Sequence, residues 1–354
     1  MIPVTKTFFP PLEDYGKQLK RIWQNEWLTN RGALVKELEE LIQNKLEVPN
    51  IILTTNGTLP IQIALKALAN NGHVITTPFS YVATTSSIIW ENCTPVFVDI
   101  HPEYLTIDET KIENAITDKT TAILATHVFG NPCNVEAIEK IAENYNLKVI
   151  YDAAHCFGVK YLGKSLFRYG DISTCSFHAT KIFHTGEGGA IFSNDHNNNN
   201  ELFYRHNFGH NGPENFDGVG INAKMSELQA AMGLSVLPYF KEILRDREDV
   251  VNFYNDNLSF IGYKKIKIRE NTEWNFSYYP IIFDTEEKLL NARERLNKND
   301  IYPRRYFYPS LNTLKYLKYS PMEISESIAS RILCLPLYKG INSQSLKTIA
   351  RELS

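Results

Sequence analysis

No stretch of this 354-residue sequence approaches the run of about 18 apolar residues that a membrane-spanning helix needs. Charge of one sign is not in excess: 37 Lys and Arg stand against 40 Asp and Glu, a net charge of −3. That balance gives no electrostatic reason to expect nucleic acid or an anionic membrane surface as a partner. Cysteine is sparse. Cys93, Cys133, Cys156, Cys175 and Cys334 are odd in number, scattered and without a CxxC pair. Neither a zinc site nor a disulfide framework is therefore expected; the cysteines read as free thiols packed like small apolar side chains. The opening Met1-Ile2-Pro3-Val4-Thr5-Lys6 has no long apolar core and no small-residue cleavage site, so no signal peptide is read and a cytoplasmic protein is expected.

What is present is the composition of a folded globule, 43% hydrophobic with no evident internal repeat. The length argues for two domains: a larger one over 1–240 and a smaller C-terminal one over 241–354. From about residue 50 to 195, strand-like and helix-like segments alternate. Ile51–Thr55, Val74–Thr77, Pro95–Asp99, Ala122–Thr126, Lys148–Asp152, Ser173–Phe177 and Ala190–Ser193 read as strands, and Leu59–Ala69 and Val135–Asn144 as helices. Strands joined by helical crossovers imply a mostly parallel sheet covered on both faces. Met225–Val236 and the charged segment Phe240–Leu258 read as further helices, and the run Asp195-His196-Asn197-Asn198-Asn199-Asn200 as a solvated loop. Beyond about 260, Lys-rich and Tyr-rich strands and helices suggest an α+β unit.

Ligands bind such sheets at the C-terminal strand ends. Asn56-Gly57-Thr58, Phe79-Ser80-Tyr81, Asp152-Ala153-Ala154-His155 and the turn carrying Lys181 all fall there. Asp152 ends an apolar strand 29 positions before Lys181, which is flanked by Ser176, His178, Thr180 and Gly186-Glu187-Gly188-Gly189. A carboxylate that holds a pyridinium nitrogen protonated, and a lysine that forms a Schiff base, are what pyridoxal 5′-phosphate (PLP) requires. Gly57 and Thr58 at a strand–helix junction could meet its phosphate. Each element also has a plainer reading: a capped turn at Asn56-Gly57-Thr58, interlayer packing for Phe79 and Tyr81, helix capping by Asp152, a satisfied core histidine at His155. By alternation, one of Phe79 and Tyr81 is expected to pack while the other faces the site.

The chain resembles the DegT/DnrJ/EryC1/StrS sugar aminotransferases. The resemblance rests on Trp27-Leu28-Thr29-Asn30-Arg31-Gly32, Asn56-Gly57-Thr58, Thr76 to Thr84, Val96-Phe97-Val98-Asp99-Ile100, Asp152-Ala153-Ala154-His155, Ser176 to Lys181, Gly186-Glu187-Gly188-Gly189 and Gly220 to Glu227. It implies a PLP-dependent transferase of fold type I, aspartate aminotransferase-like. It further implies Gly57, Thr58 and Ser176 at the cofactor phosphate, Tyr81 over the ring, Asp152 at the ring nitrogen, His155 beside the cofactor and Lys181 as the covalent anchor. Asn222 would come from the neighbouring subunit of an obligate homodimer. Two departures bear on the sugar contacts: Ala223-Lys224 where the family often has an aromatic and Arg, and Arg304-Arg305-Tyr306-Phe307-Tyr308-Pro309 where it often has His-Tyr before proline. Arg304, Arg305 and Tyr306 become candidate substrate contacts, since guanidinium forks suit pyrophosphate oxygens; an isolated Arg pair also reads as surface charge. Met1–Lys6 and Ser176–Thr185 look most like the branch that aminates C4 of dTDP-4-keto-6-deoxy-D-glucose with L-glutamate as donor, for O-antigen or other surface glycans. Rival expectations are 3-keto or UDP- and GDP-linked sugars, a PLP-dependent sugar dehydratase (disfavoured by lysine at 181), and a non-catalytic regulator that keeps the fold.

Overall fold

The computed structural model describes residues 1–69 and 71–354. Asn50–Thr54 (β1), His73–Thr76 (β2), Thr94–Phe97 (β3), Thr120–Thr126 (β4), Lys148–Asp152 (β5), Ile172–Ser176 (β6) and Gly189–Ser193 (β7) form one sheet in the order β1-β7-β6-β5-β4-β2-β3. β7 runs antiparallel to both of its neighbours; the other pairs are parallel. The mostly parallel sheet expected from the alternating pattern is thus present, and each predicted strand lies within two residues of its observed bounds.

Side-chain alternation divides the core into two layers. Ile52, Leu124, Ile150 and Ile191 join a buried cluster on one face, and Leu53, Ile123, Tyr151 and Phe192 join a larger one on the other. Leu12–Asn25 (α1), Ala33–Leu46 (α2), Thr58–Leu68 (α3), Val82–Trp90 (α4), Val135–Tyr145 (α5), His196–Arg205 (α6) and Glu227–Val236 (α7) supply the covering helices. α3, α4 and α6 contribute Ile61, Ile88 and Leu202 to the first cluster; α1, α2, α5 and α7 contribute Ile22, Leu38, Ile138 and Ala230 to the second. With both faces covered, the strands read as continuous apolar runs.

The asparagine run is a correction. It opens α6 and is not a loop. Leu202 is wholly buried against α3 and β1 neighbours, and this packing overrides the weak helix propensity of asparagine. α7 begins at Glu227, two residues later than its apolar pattern suggests, because Ser226 caps it: Ser226 Oγ accepts from Gln229 N, and Gln229 Oε1 accepts from Ser226 N at 2.9 Å.

Phe240–Asn257 (α8) belongs to two cores. Phe240 and Ile243 pack with the large sheet; Val250, Val251 and Tyr254 pack with an antiparallel sheet of Tyr263–Lys265 (β8), Tyr279–Phe283 (β9) and Ile332–Leu335 (β10), in that order. Glu286–Lys298 (α9), Glu323–Arg331 (α10) and Ser343–Leu353 (α11) complete this C-terminal unit. The first residues of the chain join it rather than the larger unit, since Ile2–Pro3 pairs in parallel with Ile301–Tyr302. Several ties hold the unit against the large sheet, and two of them place the segment that lies over the site. Asp99 accepts from the Ile324 and Ser325 amides, each at 2.9 Å, at the start of α10, and Leu311 N donates to Pro78 O at 2.9 Å. The segment 304–307 is thereby set over the C-terminal edge of the sheet.

Candidate active site

Strand register gathers the polar groups. Asp152 lies opposite Thr126 on β4 and Thr174 on β6, while Gly189, at the start of the antiparallel β7, lies opposite both Thr54 and Ser176. Gly189 has backbone on both sides: a Cβ there would run into the Asn56 carbonyl and come within 2.8 Å of the Cys175 carbonyl. Above this edge is a cavity of about 270 Å³ whose lining includes Gly57, Thr58, Tyr81, Asp152, His155, Ser176, Lys181, Arg304 and Tyr306. A second groove, about 500 Å³, opens at the opposite, N-terminal ends of β5 and β6, the edge where parallel sheets do not place ligands.

Asp152 is 4% exposed. Its Oδ2 accepts from Thr84 Oγ1 at 2.6 Å and its Oδ1 from Ala154 N at 3.2 Å. No helix starts at this turn, which removes the capping alternative. Burial raises the carboxyl above its ordinary range; the Thr84 hydroxyl, the Ala154 amide and Lys181 act against that.

Lys181 sits on a turn closed by its own amide to His178 O at 2.8 Å and by Phe177 N to Gly188 O at 2.8 Å. The residue is half-buried and lines the cavity. Burial lowers its pKa, with the Asp152 charge pulling the other way. The result is a lysine closer to the neutral amine than one in water. His155 is held neutral by burial first and by Lys181 second. Its Nδ1 accepts from Phe129 N at 3.1 Å, so Nε2 carries the proton and is the donor that the ring can offer. Behind it, Asn275 Nδ2 donates to the His155 and Phe157 carbonyls at 2.8 and 2.9 Å.

The phosphate end can be tested on the glycine. A Cβ at Gly57 would lie 2.6 Å from the Ser176 Cβ; only glycine lets the start of α3 close onto Ser176. The exposed Thr58 hydroxyl, the Ser176 hydroxyl and the positive end of α3 then face the same cavity. Asn56 Oδ1 accepts from Thr58 N and Leu59 N at 2.9 and 3.0 Å, so the helix start already holds an oxygen acceptor. A buried carboxyl, a lysine held toward its neutral form and a crowded turn at a helix N-terminus, all lining one cavity, fit PLP.

The aromatic alternation holds: Phe79 is fully buried and Tyr81, 56% exposed, lines the cavity. The arginine pair separates. Arg304 lines the cavity, with its guanidinium 4.8 Å from the Tyr306 ring centroid. Arg305 does not line it. It donates to Glu286 Oε1 at 2.6 Å and Ser330 O at 2.8 Å and lies over the Tyr308 ring. Consecutive residues of an extended segment point to opposite sides. Asn222 lies outside the cavity of the single chain, paired with Asn207 across an isolated bridge and accepting from Lys224 Nζ at 2.8 Å.

The structure adds residues that the sequence reading did not single out. Ser80, Thr126, His178, Glu187, Tyr278 and Phe307 line the cavity, and Thr84 lies directly behind Asp152. A hydroxyl in a helix has no sequence signature; only strand register reveals its partner. Among the described residues no cluster of metal-ligating side chains occurs and no helix is long and apolar enough to cross a membrane.

The sequence profile described as the DegT/DnrJ/EryC1/StrS aminotransferase family matches residues 13–354. The chain is 42% identical over 360 residues to the dTDP-4-amino-4,6-dideoxy-D-glucose transaminase of Shigella dysenteriae, covering 99% of this chain and 97% of that one. It is 40% identical over 367 residues to the enzyme of the same description from Escherichia coli, covering 99% and 98%. Its fold is similar to that of DesI, solved in the presence of its TDP-sugar product, with a TM-score of 0.93 and 29% identity over 99% of this chain and 92% of that one.

Proposed function

We infer the reaction from a fixed premise: the chain belongs to the DegT/DnrJ/EryC1/StrS aminotransferase family. The proposed reaction moves an amino group from L-glutamate to C4 of dTDP-4-keto-6-deoxy-D-glucose, giving dTDP-4-amino-4,6-dideoxy-D-glucose for a surface glycan such as O-antigen. The observation that carries it is that Lys181 and Asp152 open into one cavity with the Gly57–Ser176 turn. The substrate is chosen on the likeness to two relatives described as transaminases of that amino sugar.

PLP, when bound, supplies the electron sink and carries the amino group between half-reactions. Lys181 would hold it covalently, Asp152 would meet its ring nitrogen, and Thr58 and Ser176 would meet its phosphate at the close approach that Gly57 permits. The neutral Lys181 amine would take the proton from the glutamate α-carbon and return one to the sugar carbon in the second half-reaction. Burial keeps that amine able to accept a proton. Asp152 stays acceptor-only toward the ring while ionised. His155 Nε2–H offers a donor on the same floor. Tyr81, Tyr306 and Phe307 screen the reacting atoms from bulk water, and Arg304 offers its guanidinium to the nucleotide pyrophosphate.

The working unit is a homodimer in which Asn222 reaches the partner's cavity. Support comes from large apolar side chains left open on the single chain, including Trp23, Trp27, Leu28, Phe208 and Phe216. Five free, buried cysteines agree with a cytoplasmic setting.

The test is incubation of PLP-loaded protein with glutamate and a panel of dTDP-, UDP- and GDP-linked keto sugars, with products identified by mass and NMR. The expected product is the 4-amino sugar of the dTDP series. No amino sugar from any 4-keto substrate would overturn the reading.

A further inference from the structure

We propose that Thr84 is a positioning residue for Asp152, the last member of a one-way chain of hydroxyls that begins at Thr126. Thr84 Oγ1 donates to Asp152 Oδ2 at 2.6 Å. A hydroxyl has a single proton, so Thr84 must accept at its 2.7 Å contact with Ser80 Oγ. Ser80 in turn has given its proton to Thr84 and accepts from Thr126 Oγ1 at 3.1 Å. The direction of every bond is forced outward from the carboxylate. Thr126, Ser80, Thr84 and Asp152 are each at most 4% exposed, so water does not compete and successive bonds polarise one another.

Three elements build the chain: the end of β4, the loop after β2 and the first turn of α4. Its register is set by Thr126 lying opposite Asp152 across the β4–β5 pair. Two consequences follow for the carboxylate. Oδ2 is taken by a short bond, which leaves Oδ1, with its single 3.2 Å contact from Ala154 N, as the oxygen free to take another donor. The ionised form is also favoured. Lys181 and His155 face Asp152 from the cavity side, and the Cys156 and Cys175 thiols from the core side. The Thr84 hydroxyl, the Ala154 amide and Lys181 all oppose the effect of burial, and the Thr84 bond is the shorter of the carboxylate's two hydrogen bonds.

The inference rests on the reading above that Asp152 meets the cofactor's ring nitrogen, and its test reads binding rather than turnover. Apo protein is titrated with pyridoxamine phosphate across pH, a probe that needs no covalent bond to Lys181. Affinity should fall on the acid side as Asp152 is protonated. Thr84→Val removes a donor to the charged form, which raises the carboxyl pKa. The acid limb should move up by about one pH unit, with affinity below it about tenfold weaker. Thr84→Ser should stay within about twofold of wild type, and Ser80→Ala should shift the limb in the same direction by less. Titration of the probe's own phosphate is common to all variants. An unmoved limb in Thr84→Val, or a Thr84→Ser as impaired as Thr84→Val, overturns the proposal. Should Thr84→Val fail to fold, Ser80→Ala decides, and a limb identical to wild type overturns the chain. Wild-type protein that binds no pyridoxamine phosphate at any pH overturns the site reading instead.

Discussion

Asp152 ends a strand paired on both sides, at a register that puts Thr126 and Thr174 beside it. Arg304 lies in an irregular segment, held by one bridge in which its amide and carbonyl pair with Cys334 at 3.1 and 2.8 Å. The floor of the cavity is thus built from sheet ends and first turns, buried and tied in networks. The outer wall comes from loops, where Tyr81 and Arg304 are exposed, Tyr306 is half-buried and Phe307 packs inward. Under the proposed function, atoms that must be placed for chemistry would come from the sheet ends, and atoms that select among sugars from the part that varies at low cost to the fold. The departures from the family pattern at Ala223-Lys224 and Arg304–Tyr308 all lie outside the floor.

Substitutions can break or sharpen this contrast. The largest effect is expected at Lys181. Lys181→Ala should lower turnover by at least about 10³-fold in a steady-state assay while pyridoxamine phosphate still binds; full activity would mean that the floor is misassigned. Asp152→Asn should lower kcat by about 10²-fold or more with the fold kept. Its second signature runs the other way. Because burial raises the Asp152 pKa, the carboxyl's contribution to apo stability is fullest below the ordinary carboxylate range and is lost as pH rises through the raised value. The variant has no such loss, so apo Asp152→Asn should melt above apo wild type, by a margin that grows with pH. A margin that is flat in pH would show that Asp152 is not desolvated.

The wall should respond more mildly and in a different quantity. Arg304→Ala should raise KM for the nucleotide sugar about tenfold, with the glutamate half-reaction unchanged in single-turnover measurements. Arg305→Ala should leave that KM within about twofold and instead lower stability by about 1–2 kcal/mol, since it loses Glu286, Ser330 and Tyr308. Equal effects of the two on KM would erase the division between a substrate-facing and a structural arginine.

Much of the floor is legible in the sequence. Apolar runs with Asp152, Ser176 and Gly57 at or just beyond their ends report strand ends directly, and a lysine in a turn of small residues stands out against surface lysines. The hydroxyl chain behind Asp152 is not legible, because Val82-Ala83-Thr84-Thr85-Ser86-Ser87 has adjacent hydroxyls and no local sign of which one turns inward. The asparagine run misleads for a related reason: its polarity is local, whereas the burial of Leu202 that makes α6 depends on a strand and a helix far away in the chain.

The order of residues along the chain determined the alternation of strand and helix, the parallel sheet and the edge at which its polar ends collect, because these follow from side-chain period and crossover length. The tertiary structure decided which threonine meets Asp152, which arginine of an adjacent pair faces the cavity, and that the first residues pair with the C-terminal unit. These depend on register between strands and on the path of an irregular segment, and both are set by packing between parts of the chain that are not neighbours in sequence.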